Sequence, residues 1–187
     1  MMEDINLGSI SKQNVGKIAE RIVANELEAR GFRVTDLNTY GLAANADLLA
    51  AGHGRVWQIQ VKGATNLEKE RWRIQYGHCT VANIDGTEPM FNRHASFYTA
   101  DTVALVAVRA PNCYCCVVLP VKEAEQAAQL NLNRYHRKRK LDGDARKPSK
   151  IWVYLERSLG ERRADPLLDE ERALLKKHKN AWAILCT

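Results

Sequence analysis

Residues 56–64, VWQIQVKGA, alternate between apolar and polar side chains. In a strand, that alternation puts Trp57, Ile59 and Val61 on one face and Gln58, Gln60 and Lys62 on the other. Upstream, ADLLAAGHGRVWQIQVK reads as a hairpin with His53-Gly54 at its two-residue tip. That register pairs Gly52 with Arg55, Leu49 with Gln58 and Asp47 with Gln60, and opposed residues on one face have Cβ atoms about 4.5–5.5 Å apart. A carboxylate (Asp47), an amide oxygen (Gln60) and an ammonium (Lys62) then converge. Mg²⁺ prefers oxygen ligands and takes only one or two carboxylates from a protein, keeping waters for the reaction. Beside such an ion, a lysine can orient or deprotonate an attacking water and stabilise charge developing on a phosphate. The alternative is an ordinary solvated strand face, because a change of one residue in loop length would break the pairing.

The elements that must hold this set can be read from periodicity. Val15, Ile18, Ala19, Ile22, Val23 and Leu27 recur at helical spacing over about 13–30, with Gly31 as the stop. FRVTDL, NADLLA (45–50) and RVWQIQVK (55–62) read as strands, and RWRIQYG (71–77) as a fourth. Residues 78–100 have no clear period and are expected to form a loop over one end of the sheet. TVALVAV and YCCVVLPV form an apolar strand pair around the turn RAPN, and KEAEQAAQLNLNRY a helix. IWVYL (151–155) is expected as a late strand and DEERALLKKHKNAWAIL as a final amphipathic helix, with Trp152 and Trp182 as core anchors. This order suggests a single α/β domain over 1–187, its core spanning about 13–155 and the segment 151–187 packing on it.

The series AERIVANELEARGFRV, NADLLA and WQIQVKG resembles the core of the PD-(D/E)xK nuclease superfamily, which includes restriction endonucleases and Holliday-junction resolvases. The resolvase-like pattern matches best: a helix glutamate eleven residues before a Gly-aromatic pair, an Asp-bearing strand, then an acid-x-Lys strand. The likeness covers residues about 14–64. It implies a restriction-endonuclease-like core, a central mixed β-sheet flanked by helices. It also implies a Mg²⁺-dependent endonuclease acting on DNA, with Mn²⁺ as a substitute metal. Carried over by position, Glu20 resembles the helix acid, Asp47 the motif aspartate, Gln60 the residue usually Asp or Glu, and Lys62 the motif lysine. The carbonyl of Val61 would be a further metal ligand. Ala46 stands in place of the proline, a loose position. Gln60 in place of a carboxylate removes one negative charge, so a catalytically degenerate nuclease fold that binds nucleic acid or a protein is the alternative. Around the helix, the apolar stripe centres nearer Glu26 than Glu20. Glu20 lies at its rim, where a ligand could reach past the core, and Glu26 is the fallback.

The 187 residues carry 28 Lys/Arg against 22 Asp/Glu, and the whole excess of +6 lies in residues 131–150, NLNRYHRKRKLDGDARKPSK. Within it, Arg134, Arg137, Lys138, Arg139, Lys140, Lys147 and Lys150 are expected to contact nucleic-acid phosphates, Arg146 adding to the charge. A solvated basic linker is the alternative. No apolar run is long enough to span a bilayer, and MMEDINLGSI lacks the pattern of a secretion signal. Five cysteines without such a signal suggest a reducing cytoplasm. Cys113 and Cys116 have the spacing of half a zinc site, but no second pair completes it, and buried strand cysteines are expected instead. A homodimer would suit an enzyme that cuts two strands.

Overall fold

In the computed structural model, residues 11–38, 46–65, 71–81, 91–93, 100–110, 113–139, 146–154 and 166–186 are described. Ser11 opens the first helix by accepting the Asn14 N–H on its hydroxyl at 3.2 Å, and α1 runs Lys12–Glu28. Gly31, at φ 84°, turns the chain out of it into β1, Arg33–Asp36. β2 (Leu48–Gly52) and β3 (Arg55–Thr65) form the expected hairpin, with Leu49 opposite Gln58 and Gly52 opposite Arg55. Both tip residues are left-handed, His53 at φ 50° and Gly54 at φ 80°, as a two-residue turn matched to strand twist requires. The His53 ring packs edge-on to Phe32, with centroids 4.9 Å apart.

β3 pairs parallel to β6 (Thr102–Ala110), which pairs antiparallel to β7 (Cys113–Pro120). The resulting mixed sheet has the order β1-β2-β3-β6-β7. On one face α1 buries Ala19, Ile22, Val23 and Leu27 against Ile59, Val61, Ala104 and Val106. The opposite face of β6 and β7, including Val103, Leu105 and Leu119, is covered by α2 (Val121–Arg139) and α3 (Pro166–Lys177). The architecture is α/β, with a five-stranded mixed sheet flanked by helices.

Three expectations change. The strand at 71–77 extends over Arg71–Val81 as β4 and joins β5 (Phe91–Arg93) and β8 (Arg146–Tyr154) in a separate sheet ordered β5-β4-β8. Residues 78–81 and 91–93 are therefore strand rather than loop. β8 also starts five residues earlier than IWVYL suggested, within the basic segment, because its partner β4 is remote in sequence and leaves no local period. Third, the C-terminal helix stops at Lys177. The chain then crosses the edge of β7, where His178 accepts the Val118 N–H at 2.9 Å and Asn180 donates to the Cys116 carbonyl at 2.8 Å. Asn180 takes φ 51°, and a 3-10 turn at Trp182–Leu185 sends Trp182 and Leu185 into the α1 side of the core. This tail covers an edge strand that would otherwise present unpaired backbone groups. Among the described residues, no helix is long and apolar enough to cross a membrane.

Candidate active site

Small residues bring α1 onto β3 at the position that matters. A Cβ at Gly63 would lie 2.6 Å from the Ala19 Cβ and 3.2 Å from the Val15 carbonyl oxygen. Glycine there, facing alanine on the helix, permits this approach and sets Glu20, the next residue of α1, over the start of β2. Asn38 spans the gap. Its Nδ2 donates to Glu20 Oε1 at 3.3 Å and to Asp47 Oδ1 at 3.4 Å. Asn38 is itself held by an Asx-type turn, its N–H donating to Asp36 Oδ1 at 2.8 Å.

Asp47 lies just before β2, where its N–H donates to the Ile59 carbonyl at 2.9 Å. Its Oδ2 accepts the Val61 N–H at 2.7 Å, which fixes the carboxylate against β3. Gln60 is buried, at 6% exposure, and its Oε1 has no hydrogen-bond partner. An unsatisfied buried acceptor costs about 1–3 kcal/mol, so it calls for an explanation. Lys62 is half-buried two residues along the same face of β3. Gln60 and Lys62 stand beside Val103 and Leu105 of β6, whereas Val61 faces α1.

Burial pushes the Glu20 carboxyl above its usual range, and the charges of Asp47 and Asp36 push it further. The Asn38 hydrogen bond and the Lys62 ammonium act the other way. Two carboxylates held together in this manner favour an added positive charge. Glu20 and Asp47 offer only oxygen donors, which suits a hard divalent cation, whereas no hydrogen bond joins Gln60 Oε1 to either. Among the described residues, no three His, Cys, Asp or Glu side chains gather as a metal site.

Glu26, the fallback acid, is committed elsewhere. It pairs with Arg30 Nη1 at 2.6 Å and accepts the Tyr114 hydroxyl at 2.8 Å, a bond that helps push the phenol up to about 12. The basic segment divides. Arg134 is not a surface cation: its side chain is 9% exposed and lies 3.7 Å from Glu171, which is fully buried and bonded by Asn131. A guanidinium enclosed between α2 and α3 cannot reach a phosphate in solvent, so the expectation for Arg134 is corrected. Arg137, Lys138 and Arg139 lie in the last turn of α2, Lys147 and Lys150 at β8 positions opposite Cys79 and Gln75, and Lys140 outside the described residues. Cys115 and Cys116 are buried free thiols, but Cys113 is exposed.

Periodicity missed Asn38 and Asp36, although DLN, with Asp two residues before Asn, carries a turn signal. It also missed Lys17 and Arg21, which line a cleft of about 470 Å³ together with Glu20, Asp36 and Asn38.

Compared with solved structures, the chain is similar to a bacterial homing endonuclease, I-Ssp6803I. The TM-score is 0.52 at 14% identity, over 94% of this chain and 91% of that one. The two share a fold. No family model and no curated protein matches the sequence.

Proposed function

We propose that this protein is a divalent-cation-dependent endonuclease that hydrolyses phosphodiester bonds in DNA, with Mg²⁺ as the cation and Mn²⁺ as a substitute. The observation that carries the reading is the carboxylate pair, Glu20 and Asp47, that Asn38 bridges, with the Lys62 charge reaching Glu20. Gln60, the residue before Val61 on β3, adds a buried Oε1 that no hydrogen bond occupies. Glu20, Asp47, Gln60 and the Val61 carbonyl would hold the cation. Bound there, the cation would supply charge neutralisation at the scissile phosphate and a lowered pKa for water. Asp47 keeps its orientation through the Val61 N–H, and Lys62 presents an ammonium to the reacting phosphate. The fold shared with a homing endonuclease supports the reading, as does the resemblance of residues 14–64 to the PD-(D/E)xK pattern.

The surviving cations of the basic segment, Arg137, Lys138, Arg139, Lys140, Lys147 and Lys150, would position the duplex. Two copies of the chain would place one centre on each strand. The test is nicking of supercoiled plasmid with Mg²⁺, with Mn²⁺ and with chelator, alongside Lys62→Ala. Cleavage is expected only with metal, and Lys62→Ala should abolish it while DNA affinity stays within a few fold. Undiminished cutting by Lys62→Ala would remove the mechanism.

Gln60 itself favours a second reading, a nuclease fold that binds nucleic acid without cutting it, because an amide gives the centre one negative charge fewer than a carboxylate. Salt-sensitive DNA binding with no cleavage under any metal would select it.

A further inference from the structure

We propose that Lys17 and Arg21 form a docking track that holds the phosphodiester backbone of the cleaved strand along α1, beside the Glu20–Asp47 pair. This rests on the nuclease reading above. Both side chains are exposed and line the cleft that also contains Glu20, Asp36 and Asn38. They are four residues apart on one helix, so their Cβ atoms are about 5–6 Å apart and their positions differ by about 6 Å along the axis. Two cations at that spacing can each meet one of two successive phosphates.

Their lack of partners is informative. Glu20, Glu28 and Asp36 line the same cleft, yet among the described residues neither Lys17 nor Arg21 forms an ion pair. Other arginines nearby are occupied. Arg30 is bound to Glu26 and lies over the Trp182 ring at 5.3 Å, and Arg55 stacks on Trp57 at 3.7 Å and reaches Asp101 at 3.7 Å. A phosphodiester approaching Glu20 and Asp47 meets like charge from both, and Lys62 alone would have to offset it. Two free cations on the cleft wall lower that barrier and direct the strand toward the centre.

The experiment uses Lys62→Ala as a parent that binds without cutting, and measures duplex affinity against KCl concentration. Adding Lys17→Gln and Arg21→Gln should reduce the slope of log affinity against log salt by about 1.8, at about 0.9 per phosphate contact. The melting temperature should not move, because both side chains are solvent-exposed. Lys122→Gln with Lys176→Gln removes the same charge from exposed positions on α2 and α3 and should leave the slope near that of the parent. An unchanged slope in the Lys17/Arg21 variant overturns the track, and an equal fall in the Lys122/Lys176 control reduces it to net charge. If the parent has no salt-dependent DNA affinity and the wild type does not cut, the nuclease reading fails and the track fails with it.

Discussion

Gly63→Ala should damage both stability and catalysis, and a second substitution should separate the two effects. The added Cβ would lie 2.6 Å from the Ala19 Cβ, against the 3.5–4.0 Å of an ordinary carbon contact, so α1 must retreat by about 1 Å. The Val15 carbonyl, 3.2 Å from the same point, closes the sideways escape. Overpacking of this kind costs about 1–3 kcal/mol, which for a chain of this size lowers Tm by about 2–4 °C per kcal/mol. Glu20 follows Ala19 on the helix, so it moves by a similar distance away from Asn38 and Asp47. A misplacement of 1 Å at a reacting centre can cost about 100-fold in rate. Adding Ala19→Gly removes the atom that clashes. It should restore most of the cleavage rate but not all of the stability, because glycine within a helix costs about 1 kcal/mol. Thermal melts and plasmid-nicking rates of the two variants provide the check. Wild-type melting and wild-type cutting by Gly63→Ala would refute the close approach of α1 as the device that positions Glu20.

At Gln60, cleavage measured against Mg²⁺ concentration should follow the order Glu ≥ Gln ≫ Leu, because Gln60→Glu adds an anionic ligand and Gln60→Leu removes the donor. Equality of Leu and Gln would leave Gln60 as a polar residue only. Arg134→Ala should cost about 3–5 kcal/mol in urea unfolding, since it breaks a buried ion pair with Glu171. Its effect on the salt dependence of DNA binding should be nil, and a change in slope without loss of stability would return Arg134 to the surface. Burial pushes the Glu123 carboxyl up, but the hydrogen bond and charge of His178, with Lys177, bring it below its ordinary 4.5. A group depressed in the folded state stabilises above its unfolded pKa and loses that contribution as pH falls through the folded value. The wild type should therefore lose stability below pH 4.5 more steeply than Glu123→Gln, and parallel acid limbs in the two unfolding curves would contradict this.

The local parts of this molecule were legible in its residues. The β2–β3 register followed from His53-Gly54 because a two-residue turn with both φ angles positive sets the pairing for every residue behind it. The α1 stripe and its Gly31 stop, the β6–β7 pair and α2 followed from periods carried by contiguous residues. The four residues of the candidate site could be named, and the hairpin register put Asp47, Gln60 and Lys62 on one strand pair, but the bridge from Asp47 to Glu20 came only with the fold. Glu20 and Glu26 lie on the same helix, and only packing against Gly63 and the position of Tyr114 separates the acid beside Asp47 from the one tied to Arg30. Arg134 reads like its basic neighbours until α3 brings Glu171 against it. The pairing of β4 with β8, the parallel insertion of β6 beside β3 and the bridge from Asn38 to Glu20 all join segments distant in the chain. Periodicity reports what one segment offers to a neighbour. Which neighbour it meets is decided by burial of the whole core, and so the elements were determined by sequence while the electrostatics of the centre were decided by the tertiary structure.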